Sequence, residues 1–117
     1  NFVLNTASIM KGGEVFVPKL PSYNILQLAK CIGPECKIKI IGKRPGEKLH
    51  EAMISTSESY RTLIQDDYYV VVPEINISSD YSSYGTTYMK DESEYSSGEN
   101  VLISDEELLK FAIKMCK

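Results

Sequence analysis

Between Gly13 and Gly42 the chain reads strand, helix, strand with short connections, and few folds accommodate that order. Glu14-Val15-Phe16-Val17-Pro18 is rich in β-formers and closed by proline. Ser22 is a suitable helix N-cap, and Ile25, Leu28, Ala29 and Ile32 then recur at i, i+3, i+4, i+7 along one helical face. Gly33-Pro34 ends that helix, and Lys37-Ile38-Lys39-Ile40-Ile41 alternates as a second strand. The pattern predicts a βαβ unit with parallel strands. Such a unit cannot cover both faces of its own strands and calls for a larger sheet.

Before this unit, Asn1-Phe2-Val3-Leu4 has a helical look with no cap ahead of it, and Gly12-Gly13 should end that helix. With no Met at position 1, the expectation is a chain whose beginning is missing. After the unit, Gly42 to Lys48 reads as a loop, with two glycines and a proline in seven residues. Residues 49–63 read as a weak helix interrupted by Ser and Thr, and Tyr68-Tyr69-Val70-Val71-Val72 as a strand stopped by Pro73. Residues 76–100 are rich in Ser and Tyr with little aliphatic content, which predicts a long, poorly packed loop or an arm seeking a partner surface. Ser104-Asp105-Glu106-Glu107 opens a terminal helix with a capping box, and Leu108, Phe111, Ala112 and Met115 give it an apolar face. The expected division is therefore 1–75 as an α/β region, 76–100 as a loop or arm, and 101–117 as the C-terminal helix.

Charge narrows the choice of ligand. The net charge of −3 hides +5 over residues 1–50 and −8 over residues 51–117. A basic half raises nucleic acid as a partner, but its lysines and Arg44 are not interleaved with aromatic residues. A small phosphorylated ligand fits better, alongside the plain alternative of a solvated charged face. Three cysteines, Cys31, Cys36 and Cys116, make an odd count and point to structural thiols in a reducing compartment. Cys31 and Cys36 with the single His50 are too few for a zinc site, so no metal ligands are assigned. His50 reads as a surface or hydrogen-bonded structural histidine. No stretch has the pattern of a signal peptide or the length of a membrane span, and a cytoplasmic location is expected.

The chain carries no recognisable reacting groups. A dinucleotide fingerprint needs G-x-G-x-x-G so that the backbone can approach a pyrophosphate, and the glycines at 12, 13, 33, 42, 46, 85 and 98 have no such spacing. None of the eight tyrosines has a lysine four residues on, so no lysine stands one helical turn away to lower a tyrosine pKa. No catalytic and no cofactor-binding residue is therefore assigned in this chain.

One loop could bind a ligand. Arg44 and Glu47 lie three residues apart across Pro45-Gly46. Arg offers a planar fork of donors matched to phosphate, and Glu offers two acceptors suited to vicinal hydroxyls. On pattern alone a solvated surface turn is the commoner outcome.

The run Gly13-Glu14-Val15-Phe16-Val17-Pro18-Lys19-Leu20-Pro21-Ser22, with Ile41-Gly42-Lys43-Arg44-Pro45-Gly46-Glu47-Lys48-Leu49-His50-Glu51, resembles the inverting UDP-N-acetylglucosamine 4,6-dehydratases of bacterial surface-polysaccharide and flagellin-sugar pathways. Asp66-Asp67-Tyr68-Tyr69 and Glu94-Tyr95-Ser96-Ser97-Gly98 are similar to that family's tail, above all in its capsule branch. Lys43 stands where many relatives carry an aliphatic residue. The resemblance implies an extended short-chain dehydrogenase/reductase of which this chain is the C-terminal, substrate-binding part, without a complete Rossmann domain. It implies that Arg44 contacts the substrate diphosphate and Glu47 the uridine ribose. NADP and the catalytic groups would belong to a Rossmann domain outside this chain, in a homo-oligomeric parent enzyme. That enzyme would convert UDP-N-acetylglucosamine to a 4-keto-6-deoxy sugar with inversion at C5. Two rival expectations are part of a UDP-sugar 4-epimerase and a non-catalytic binding or assembly module.

Overall fold

The computed structural model describes residues 1–75 and 80–115, except for the side chain of Met115. Cys116 and residues 76–79 of the expected arm lie outside the described residues. The elements are α1 (Phe2–Ile9), β1 (Val15–Pro18), α2 (Ile25–Ile32), β2 (Ala52–Ile54), β3 (Thr62–Ile64), β4 (Tyr68–Val71), β5 (Tyr95–Ser96) and α3 (Asp105–Met115), with 3-10 turns at Ser59–Arg61 and Ser82–Tyr84. They form two compact units, one from residues 1–20 and 52–96, the other from residues 21–51 and 97–117.

In the first unit β4 lies between β1 and β3 in an antiparallel sheet, with Val17 opposite Tyr69 and Leu63 opposite Val70. Both faces of this sheet are covered, which is why β4 reads as a continuous apolar run rather than an alternating one. Val17 and Val71 pack with Ile54 and Tyr95 in one cluster. Leu63 and Val70 pack with Tyr84 in the other, together with Phe16, Tyr68 and Tyr81. β2 and β5 make a second, two-stranded antiparallel ladder. In the second unit α2 packs on α3, and Ile103, Leu108 and Ala112 are its buried apolar residues. Backbone bonds from Ser22 N–H to Val101 O (3.0 Å) and from Ile103 N–H to Ser22 O (2.8 Å) join the entries to the two helices.

The α/β class and the terminal helix are as expected; the βαβ unit is not. Residues 37–41 form no strand, and β1 pairs with β4 antiparallel instead. Alternation supplies a face, but a strand also needs a hydrogen-bonding neighbour, and among the described residues 37–41 enter no strand pairing or bridge. The weak helix over 49–63 is replaced by β2, a 3-10 turn and β3. Its Ser and Thr side chains bond to nearby backbone, as in Ser59 Oγ–H to Thr56 O and Thr62 Oγ1–H to Glu58 O, both 2.8 Å, which competes with helix formation. Residues 80–96 are mostly exposed, as a loop would be, but they are anchored at particular residues. Tyr84, Tyr95 and Ser96 are buried, and the Tyr95 hydroxyl accepts the Leu20 N–H at 2.8 Å. Helix α2 begins after Asn24 rather than Ser22, because Asn24 and Gln27 complete a reciprocal capping box.

Candidate functional site

The Arg44–Glu47 segment folds as a closed turn. The Glu47 N–H donates to Arg44 O at 3.1 Å, with Pro45 and Gly46 at the two central positions. Gly46 has φ +86°, the left-handed backbone that a type II turn requires there and that proline at the preceding position favours. The side chain of Glu47 closes the turn a second time: its Oε2 accepts the Arg44 N–H at 2.8 Å, and its Oε1 stands 3.8 Å from Arg44 Nε. The Arg44 side chain is 72% exposed and that of Glu47 50%. An ion pair so open to water adds little stability. Its effect is directional: the turn holds a planar cation at the surface, and its two terminal nitrogens have no partner among the described residues. Both side chains singled out in the sequence are thus brought together, on one turn of the second unit.

The far end of the same loop is tied to the tail. The Glu51 N–H donates to Ser97 Oγ at 3.0 Å, and the Ser97 N–H returns a bond to Glu51 O at 3.0 Å. The His50 ring sits against Gly98, where a Cβ would lie 2.9 Å from His50 Cγ. This link between residues 50–51 and 97–98 was missed from sequence, since the Ser-Ser-Gly run there looks only like loop composition. His50 is an exposed structural histidine in this arrangement.

A second polar cluster lies in the first unit. Glu14 is buried, and its carboxylate accepts N–H bonds from Lys11 and from Gly12 (2.7 Å) and stands 2.7 Å from the Tyr84 hydroxyl. Burial pushes the Glu14 carboxyl up, but these hydrogen bonds outweigh it and hold the group below the ordinary carboxylate value. Burial, followed by the adjoining Glu14 carboxylate, pushes the Tyr84 hydroxyl well up, so it stays protonated. Tyr84 also lies 2.7 Å from Ile9 O, and Tyr81 donates to Gly12 O at 2.6 Å. The cluster pins the turn at Gly12-Gly13, whose φ angles are +113° and +84°. It is a structural brace with its polar groups engaged by protein, a poor place for substrate.

A shallow groove between α2 and α3 is lined by Gln27, Lys30, Cys31, Pro34, Asp105, Glu106 and Leu109 and does not include the 44–47 turn. Cys31 is half-buried and Cys36 exposed. Among the described residues no three His, Cys, Asp or Glu side chains gather as metal ligands would. No described helix is long and apolar enough to cross a membrane.

The chain is similar to known proteins over most of its length. It is 40% identical over 116 residues to the UDP-N-acetylglucosamine 4,6-dehydratase (inverting) of Campylobacter jejuni strain 81-176, covering 92% of this chain and 35% of that protein. It is 36% identical over 73 residues to a UDP-glucose 4-epimerase of Rickettsia canadensis, covering 59% of this chain and 21% of the relative. The solved structure of Pen from Bacillus thuringiensis superposes with a TM-score of 0.75 at 26% identity, over 96% of this chain and 33% of that one. The chain thus spans about a third of the dehydratase and of the solved structure it matches. Residues 1–73 match the profile of the polysaccharide biosynthesis protein family, and the chain belongs to that family.

Proposed function

We propose that this chain is the substrate-binding C-terminal portion of a C5-inverting UDP-N-acetylglucosamine 4,6-dehydratase that serves surface-polysaccharide synthesis in the cytoplasm. The observation that carries this reading is the closed type II turn that presents the Arg44 fork to solvent beside the Glu47 carboxylate. The 40% identity to the Campylobacter jejuni dehydratase supports a UDP-sugar as the ligand class. In this reading Arg44 pairs with the diphosphate of a UDP-sugar, where a planar guanidinium can donate two parallel bonds. Glu47 accepts from the ribose hydroxyls with the lone pairs its turn bonds leave over. The parent protein would hold NADP in a Rossmann domain and do its redox chemistry there, as a homo-oligomer. The portion described here contributes binding energy and orientation rather than reacting groups.

The test is calorimetric titration of UDP, and separately of NADP, into the full-length protein carrying this chain. Arg44→Ala should weaken UDP binding by about 1.5–3 kcal/mol, the range for a hydrogen bond to a charged group, and leave NADP affinity unchanged. Arg44→Lys should recover only part of the loss, because an ammonium keeps the charge without the fork. Unchanged UDP affinity in Arg44→Ala would reduce the loop to a plain turn.

The similarity to the Rickettsia canadensis epimerase favours a second reading, in which the parent protein inverts C4 of a UDP-sugar. Product analysis decides between them. A 4-keto-6-deoxy product means dehydration, and a C4 epimer with its 6-hydroxyl retained means epimerisation.

A further inference from the structure

We propose that Glu47 is a positioning residue for Arg44, in addition to any contact of its own with a ribose. This rests on the reading of the 44–47 turn as a diphosphate site. Two bonds close the turn, and only one of them is backbone to backbone. The other runs from the Arg44 N–H to Glu47 Oε2 at 2.8 Å and depends wholly on the Glu47 side chain. It restrains the backbone at Arg44 itself, from which the guanidinium projects. The second oxygen of the same carboxylate, 3.8 Å from Arg44 Nε, biases the guanidinium toward one orientation. Nε is the nitrogen nearest the chain, so this contact leaves both terminal nitrogens unengaged among the described residues and available for a bidentate pair with phosphate.

An exposed arginine on an unrestrained loop would have to be ordered when the ligand binds, and immobilising a long side chain weakens binding. Glu47 removes part of that penalty beforehand. Pro45 and the positive φ of Gly46 set the path of the turn, and the Glu47 carboxylate locks its first residue. The spacing of Arg44 and Glu47 is therefore a geometric requirement of the turn as well as a pair of binding groups.

Simple electrostatics predicts the opposite sign, which makes the idea testable. Glu47 is an anion beside a proposed anion site. By charge alone its removal should strengthen the binding of phosphate groups. If it positions Arg44, its removal should weaken them.

The experiment is a double-mutant cycle on the full-length protein with two probes, UDP and inorganic pyrophosphate, the second having no ribose. Glu47→Ala should weaken pyrophosphate about three- to tenfold, and in an Arg44→Ala background the same change should cost less than about twofold. Glu47→Gln keeps an acceptor oxygen for the Arg44 N–H and should hold pyrophosphate within about twofold of the unmodified protein. Pyrophosphate affinity unchanged or tightened by Glu47→Ala, with UDP alone weakened, would overturn positioning and leave only a ribose contact. An equal loss from Glu47→Ala with and without Arg44 would also overturn it. If Arg44→Ala affects neither probe, the diphosphate reading of the site fails first, and positioning with it.

Discussion

The His50 ring rests on Gly98 so closely that a methyl group there would stand 2.9 Å from His50 Cγ and 3.2 Å from Nδ1 and Cδ2. The crowded atom is the ring carbon nearest the backbone, so the side chain cannot simply swing its tip away. Gly98 does not have a positive φ, and the requirement is one of space. Gly98→Ala should therefore destabilise the protein by about 1 kcal/mol, at the low end for overpacking because the site is at the surface. His50→Ala in the same chain should return most of that loss, as measured by urea unfolding of the two single variants and the double variant.

Tyr84→Phe should remove one hydroxyl while keeping the ring, whose edge-on contact with Phe16 has a centroid separation of 5.5 Å. The lost group hydrogen bonds near a buried carboxylate, and bonds to charged groups contribute about 1.5–3 kcal/mol. The expected outcome is an unfolding free energy lower by that amount, read from urea denaturation. A neutral substitution would mean that Ile9 O and Glu14 are satisfied without Tyr84.

Acid should unfold the protein through particular carboxylates. Glu14 is held below its ordinary value of 4.5, hydrogen bonds outweighing burial. Glu58 is held below the same value, first by the Ser55 hydroxyl and N–H and then, against burial, by Arg61. A carboxylate whose folded pKa is depressed gives stability that is full above its unfolded value and is lost as pH falls through the folded one. Stability should thus be flat above about pH 5 on account of these groups and decline below it. Glu14→Gln should lower stability at neutral pH and make the acid limb shallower, read as urea midpoints across the pH series.

Asn24→Ala should cost about 1 kcal/mol by opening the capping box of α2, where the Asn24 side chain accepts the Leu26 N–H at 2.9 Å. Ser22→Ala should change little, because Ser22 contributes its backbone N–H and carbonyl to the bonds with Val101 and Ile103. Helicity and thermal midpoint of the two variants separate these cases.

Much of the local structure was legible in the residues themselves. Gly12-Gly13 follows α1, β1 stops at Pro18, β4 is an aromatic and β-branched run, and the Ser104–Glu107 capping box opens α3. The turn at 44–47 was equally legible, since Pro followed by Gly suits the two central positions of a type II turn whatever surrounds it. These features depend on dihedral preferences and short-range hydrogen bonds, and a sequence states both directly.

Pairing and packing were decided elsewhere. Nothing in Val15–Pro18 says that its neighbour is Tyr68–Val71, fifty residues on and antiparallel. Nothing in Lys37–Ile41 says that it lacks a ladder. Tyr84 and Tyr95 sit in a Ser-rich stretch and still supply core, because each ring fills a cluster built by distant strands and each hydroxyl finds a distant polar partner. By itself the sequence determined the break at Gly12-Gly13, the stop of β1 at Pro18, the extended run of β4, the cap of α3, and that Arg44 and Glu47 share one turn. Only the tertiary structure decided which strands meet, that Tyr84 and Tyr95 are core, and that Ser97 and Gly98 hold the end of the candidate loop. A strand ladder or a buried ring is satisfied by whatever segment arrives beside it, and that is a property of the whole chain in space.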